Sequence, residues 1–217
     1  MSPSTFTLLL GGNLTVTERL NALIAGSRVI AADSGMRHAQ SLNLMPELWV
    51  GDFDSADAAL RDKFRQVERH SYPATKAATD GEIAVAEALA RGAERLILVG
   101  ALGGERSDHA LQHHLHALAL AEEGLEVMLT SGEEEAYPLI SGDEMELELP
   151  NGSLFSVLGF SDLEGLTLSN VRYPLTDFSL TFGSSRTISN VAQGPISISL
   201  GHGRALLMAR PYDLTGA

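Results

Sequence analysis

The chain changes its hydrophobic rhythm once, close to Ser131. Before that point, short apolar runs alternate with segments whose apolar residues recur every three or four positions. Phe6-Thr7-Leu8-Leu9-Leu10 has strand length and stops at Gly11-Gly12-Asn13, and Thr17 to Ala25 follows with helical spacing. Arg28 to Ala32 repeats the pattern, closing at Asp33-Ser34-Gly35 before a helix over Met36 to Leu42. Leu48-Trp49-Val50 reads as a third strand ending at Gly51. Helices from about Ala56 to Phe64 and from Asp80 to Arg91 come next. A buried strand from Arg95 to Val99, closed by Gly100-Ala101-Leu102-Gly103-Gly104, precedes a helix from Asp108 to Glu123 and a strand from Glu126 to Thr130. Strands that alternate with helices predict an α/β domain over residues 1–132 with a mostly parallel, Rossmann-like sheet, since parallel neighbours need helical crossovers.

From Met145 onward the period falls to two, in Glu144-Met145-Glu146-Leu147-Glu148-Leu149, Leu154 to Phe160, Phe178 to Phe182 and Ile196 to Leu200. Gly, Asn, Pro and Ser separate these runs. One apolar face per strand and no helical spacing predict a small all-β sandwich of antiparallel strands over residues 138–212.

Composition narrows the possibilities. Apolar residues make up 44% and charged residues 20%, ordinary values for a globular protein. There is no cysteine, which removes disulfides and thiolate metal sites and points to a reducing, cytoplasmic setting. No apolar stretch has the length to cross a bilayer. A formal net charge of -13, with Lys63 and Lys76 the only lysines, argues against nucleic-acid or anionic-membrane partners. A polyanionic ligand would therefore depend on divalent metal and backbone amides for much of its counter-charge.

Ligands of open α/β sheets bind beyond the carboxyl ends of the strands. Here those ends carry Gly11-Gly12-Asn13, Asp33-Ser34-Gly35, Gly51-Asp52-Phe53-Asp54-Ser55 and Gly103-Gly104-Glu105-Arg106. Asp52 and Asp54 stand two apart, so a turning chain can aim both carboxylates at one magnesium ion, which takes one or two carboxylates and completes its shell with phosphate oxygens and water. Helix capping accounts for Asp54 or Ser55 but leaves Asp52 unexplained. Thr79-Asp80 with Glu82, and Ser107-Asp108, read first as helix N-termini. Arg106 follows two glycines and offers a planar fork to a phosphate. His109, His113 and His116 share a helical face; zinc is the minor reading of that spacing, exposure or packing the ordinary one.

Taken in order, Ala32-Asp33-Ser34-Gly35, Val50-Gly51-Asp52-Phe53-Asp54-Ser55, Thr79-Asp80-Gly81-Glu82 and Gly103-Gly104-Glu105-Arg106-Ser107-Asp108-His109 resemble the successive motifs of the thiamine pyrophosphokinase family. The similarity spans nearly the whole chain, and Ser189-Asn190 resembles the family's thiamine-contacting pair. The resemblance implies an ATP-dependent transfer of pyrophosphate to the thiamine hydroxyl, giving thiamine diphosphate and AMP, by a homodimer. It also implies that Asp52, Asp54 and Asp80 hold Mg2+ and the phosphates, with Asp33 beside the transferring group. Ser34, Gly35, Gly103, Gly104, Arg106, Asp108 and His109 would lie on the nucleotide side, and Ser189 and Asn190 would meet thiamine. Three positions differ from the family pattern: Lys76-Ala77-Ala78-Thr79-Asp80 lacks a second acid, Glu105 precedes Arg106, and Ala205-Leu206-Leu207-Met208 offers no aromatic to thiamine. Two other readings compete: a non-catalytic thiamine or nucleotide binder, and an aspartyl-phosphate phosphatase in which Asp52 is phosphorylated and Asp54 is the acid.

Overall fold

Six strands pair in parallel among residues 4–53, 56–72 and 78–216, which the computed structural model describes. They are β1 (Thr5–Leu9), β2 (Arg28–Ala32), β3 (Leu48–Gly51), β4 (Glu68–Ser71), β5 (Arg95–Val99) and β6 (Glu126–Thr130). Their order is β4-β3-β2-β1-β5-β6. The helices are α1 (Glu18–Ile24), α2 (Met36–Ser41), α3 (Ala58–Lys63), α4 (Asp80–Ala90) and α5 (Ser107–Glu122). Phe6, Leu8, Ile30, Trp49, Leu96 and Leu98 are buried in the middle strands, as expected where helices cover both faces of a parallel sheet. By contrast, β4 reads Glu-Arg-His-Ser and is largely exposed. Apolar periodicity could not reveal it; its pairing with β3 makes it a strand, and its charges suit an edge.

Side chains close the helix starts. Thr17 accepts the amide of Leu20 at 3.1 Å. Asp57 accepts that of Leu60 at 2.7 Å, so α3 begins two residues later than its spacing predicts and takes its cap from Asp57. Thr79 and Glu82 form a reciprocal capping box on α4.

The remaining strands are antiparallel: β7 (Glu135–Ile140), β8 (Glu144–Leu147), β9 (Leu154–Gly159), β10 (Leu163–Val171), β11 (Leu175–Leu180), β12 (Asn190–Ser199) and β13 (Arg204–Arg210). β13 lies between β7 and β9. β12 pairs with β9 through Asn190 and Val191, and with β8 and β10 through its later residues. Gly194, at φ 108°, and Pro195 sit where its partners change, a place where regular pleating would be obstructed. Phe155, Val157, Leu166, Leu168, Ile196, Ile198, Ala205 and Leu207 pack into one core. The chain is thus mixed α/β and divides into two compact units, Met1–His113 with Leu125–Gly132, and His114–Gly124 with Glu133–Ala217. The second half of α5 belongs with the antiparallel unit. Among the described residues, no helix is long and apolar enough to cross a membrane.

Candidate active site

In the parallel unit, β1 has β2 on one side and β5 on the other, so the order in which strands are added reverses there. Such a switch point leaves a crevice, because the loops after the two central strands turn to opposite faces. A cavity of about 450 Å³ occupies this end of the sheet. Gly11, Gly12 and Asn13 line it after β1, and Asp33 and Ser34 after β2. Thr79, Asp80 and Gly81 contribute from the start of α4, Gly103, Gly104, Glu105 and Arg106 from the loop after β5, and His109 and His113 from α5.

The glycine loop is shaped by close backbone approach. A Cβ on Gly12 would lie 2.4 Å from the Gly100 carbonyl oxygen and 2.5 Å from that of Gly103, so a side chain there would drive the two loops apart. The Gly12 carbonyl accepts from His38 Nε2 at 2.9 Å and from Arg37 at 3.2 Å, and Arg37 also donates to Gly11. Burial lowers the pKa of His38, against the opposing pull of its bond to Gly12, so the neutral ring donates from Nε2. Neither Arg37 nor His38 belongs to a motif recognised above. His38 is a buried polar residue in a short helix, and Arg37 looks like an ordinary surface cation until the cavity is seen.

The acids stand on unusual backbone. Asp33, in the 3-10 turn Asp33–Gly35, has φ 40°, and Phe53 has φ 64°. Left-handed conformations of such residues cost on the order of 1–3 kcal/mol each and persist where surrounding contacts enforce them. Between them, Gly51 has φ 147°, and a Cβ on it would lie 3.1 Å from Asp33 Cα. The Asp33 turn and the loop carrying Asp52 are therefore in direct backbone contact. The Asp33 carbonyl accepts from Trp49 Nε1 at 2.9 Å. Asp54 and Ser55 lie outside the described residues, as do Lys76 and Ala77. Gly35 is buried against β1, where a Cβ would fall 2.1 Å from the Leu9 carbonyl oxygen.

At the start of α4, Thr79 and Glu82 form the capping box, and Asp80 lies on the cavity wall. Arg106 and Asp108 are engaged with each other, Nε to Oδ1 at 2.9 Å and Nη2 to Oδ2 at 2.7 Å. The Arg106 guanidinium thereby holds Asp108 far below the usual carboxylate range. Both side chains remain about two-thirds exposed, so the fork is accessible to a ligand. His109 and His113, one turn apart on α5, line the cavity, whereas His116 does not. Among the described residues, no three His, Cys, Asp or Glu side chains are grouped so that they could hold a metal ion.

In the antiparallel unit, Ser189 is exposed at φ 61°, and its N–H donates to Ser156 Oγ at 3.0 Å. Asn190 is buried, and its carboxamide is committed to backbone. Oδ1 accepts from Tyr173 N at 3.1 Å and Val191 N at 2.8 Å, while Nδ2 donates to the Tyr173 carbonyl at 2.9 Å. Tyr173 itself is 60% exposed. Nothing in the sequence pairs Tyr173 with Asn190; the carboxamide bracket does so.

A family model described as the thiamin pyrophosphokinase catalytic domain matches residues 21–129, and one for the thiamin pyrophosphokinase vitamin B1 binding domain matches residues 144–204. The thiamine pyrophosphokinase of Bacillus subtilis is 28% identical over 193 residues, covering 85% of this chain and 87% of that protein. The crystal structure of the Bacillus subtilis enzyme superposes with a TM-score of 0.83 at 22% identity, covering 96% of this chain and 99% of that one. Thiamin pyrophosphokinase from Candida albicans gives a TM-score of 0.76 at 13% identity, covering 96% and 89%. These matches favour neither the phosphatase nor the non-catalytic binder. With the catalytic-domain match spanning half the sequence and the vitamin B1 domain match following it, the chain belongs to the thiamin pyrophosphokinase family.

Proposed function

We propose that this chain is a transferase that moves the pyrophosphoryl group of ATP to the hydroxyl of thiamine, releasing thiamine diphosphate and AMP. The observation that carries the reading is the gathering of Asp33, Asp80, Arg106 and the glycine loops around one cavity at the switch point of the parallel sheet. The parallel unit serves as a Rossmann-like nucleotide domain, and the antiparallel unit as a small sandwich that presents thiamine.

Group transfer of this kind depends on positioning and charge neutralisation, with attacking and leaving oxygens in line. The glycine loop brings backbone to the phosphates, and Arg106, Asp108 and His109 stand on the nucleotide side with Ser34 and Gly35. The donor set suits a hard cation: Asp33 and Asp80 offer carboxylates on the cavity wall, and Asp52 follows Gly51, which packs on Asp33. Asp52, Asp54 and Asp80 would hold Mg2+, an ion that fills the rest of its shell with water and phosphate oxygens. When bound, magnesium supplies charge neutralisation on the phosphate oxygens. Asp33 or Asp80 takes the proton of the thiamine hydroxyl as its oxygen bonds to the β-phosphorus and the bond to the α-phosphate oxygen breaks. Ser189 meets thiamine, with Tyr173 as the aromatic surface that the last strand lacks. Two copies of the chain form the working homodimer, and the cysteine-free sequence suits the cytoplasm.

The test is incubation with Mg-ATP and thiamine. AMP should appear in step with thiamine diphosphate, and Asp52→Asn should lose nearly all turnover while staying folded. Phosphate release without AMP, or near-normal turnover by Asp52→Asn, would overturn the reading.

A further inference from the structure

Trp49 is the only tryptophan in the chain and is fully buried in β3, flanked by Leu48 and Val50. An aliphatic residue would satisfy the packing of such a strand. An indole adds one N–H donor, which burial obliges to find an acceptor. The acceptor here lies on another loop. The β2–β3 ladder runs Ile30 with Leu48, Ala31 with Trp49 and Ala32 with Val50, and it stops where Asp33 turns to φ 40°. That turn removes the Asp33 carbonyl from the ladder. The Met36 N–H and the indole N–H, at 2.9 Å, both engage the displaced oxygen, filling its two lone pairs.

The same ring touches the second acidic loop. Phe53, next to Asp52 and itself at φ 64°, meets Trp49 edge to face at 5.1 Å between centroids and 83° between planes. The Arg69 guanidinium of β4 lies over the indole, 5.1 Å from the ring centroid. One side chain beneath the cavity therefore grips the left-handed residue on each side of the Asp33–Gly51 backbone contact.

We infer that Trp49 is a positioning residue for pyrophosphoryl transfer: by holding the Asp33 carbonyl and the Phe53 ring, it fixes where the Asp33 and Asp52 carboxylates stand relative to the reacting phosphate. The inference rests on the pyrophosphokinase reading above. Trp49 is fully buried and is not among the residues that line the cavity, so its effect falls on the alignment of groups in the transition state and leaves thiamine affinity largely alone.

Because the chain has one tryptophan, biosynthetic replacement by β-(3-benzothienyl)alanine exchanges the indole N–H for sulfur at position 49 only. The shape of the ring is kept, so the far-UV circular dichroism, which reports the backbone, should match that of the unmodified chain. The expected result is a fall in kcat of roughly tenfold or more with the thiamine KM changed by less than about twofold. Trp49→Phe, which also lacks the donor, should show the same split between kcat and KM. A folded isostere with kcat within about twofold of the unmodified enzyme would overturn the role, as would a loss confined to KM. AMP formation by the unmodified chain is measured beside it. An unmodified chain that forms no AMP overturns the pyrophosphokinase reading and this inference with it; an active chain with an equally active isostere overturns this inference alone.

Discussion

The carboxamide of Asn190 brackets the backbone of Tyr173, accepting its N–H at 3.1 Å and donating to its carbonyl at 2.9 Å. A buried amide thus fixes the backbone of an exposed aromatic residue. The two residues should fail differently. Tyr173→Ala should leave the melting temperature nearly unchanged and raise the thiamine KM roughly two- to tenfold, the range expected for one aromatic contact of about 0.5–1.5 kcal/mol. Asn190→Ala strands buried backbone groups and should destabilise the fold by about 1–3 kcal/mol. Thermal denaturation alongside thiamine saturation curves separates the effects.

Thr79 and Asp80 are adjacent, yet they divide capping from chemistry. Thr79→Ala removes the cap of α4 and should cost about 1 kcal/mol of stability. Asp80→Asn leaves the capping box intact and should abolish AMP formation with little change in unfolding free energy. An active Asp80→Asn enzyme would remove this acid from the catalytic set.

Arg106 and Asp108 form a two-point pair on an exposed loop. Arg106→Lys keeps the charge but loses the fork, and should raise the KM for ATP while sparing that for thiamine. Asp108→Asn should act in the same direction, because it releases the guanidinium from its aligned pose. The double variant should be no worse than the weaker single one, since both changes break one unit. Steady-state kinetics with each substrate varied in turn read this out.

A polar cluster joins edge strand β4 to α4 and gives a pH signature. Burial alone would raise the Glu87 carboxyl, but hydrogen bonds from His70, Arg91 and Tyr72 outweigh it and hold it at about 2. His70 is raised by its bonds to Glu87 at 2.9 Å and Glu68 at 2.8 Å. A depressed carboxyl contributes stability above its ordinary unfolded pKa, and the contribution fades as pH falls from about 4.5 toward 2. A raised imidazole contributes fully below its ordinary value of 6.5 and loses that contribution as pH rises through its folded pKa. Melting temperature should therefore decline on the alkaline side of about pH 6.5, and His70→Gln should flatten that limb and also shrink the acid limb, because it removes one of the bonds that hold Glu87 down. Differential scanning fluorimetry from pH 3 to 9 tests both slopes.

Much of the architecture was legible before folding. Period-three-to-four segments between apolar runs, followed by strict alternation after Met145, are local consequences of helix and strand geometry, so they announce a parallel α/β unit and an antiparallel unit. The strand-end acids and glycines were legible for a related reason: ligand loops follow strands at one end of such a sheet. Edge strand β4 was not, because Glu68 to Ser71 have no apolar face to pattern and owe their conformation to β3.

The order of residues sets the inventory: which acids, glycines and aromatics are present, and along which elements they fall. Packing in three dimensions chose their partners. It gave the α3 cap to Asp57, joined Arg106 to Asp108, turned Asn190 inward to Tyr173, and set Trp49 under both Asp33 and Phe53. Of these partners, Asn190 and Tyr173, or Trp49 and Asp33, stand 17 and 16 positions apart. No local period relates residues at such distances; their meeting depends on strand register and on which loop is driven against which when the core closes.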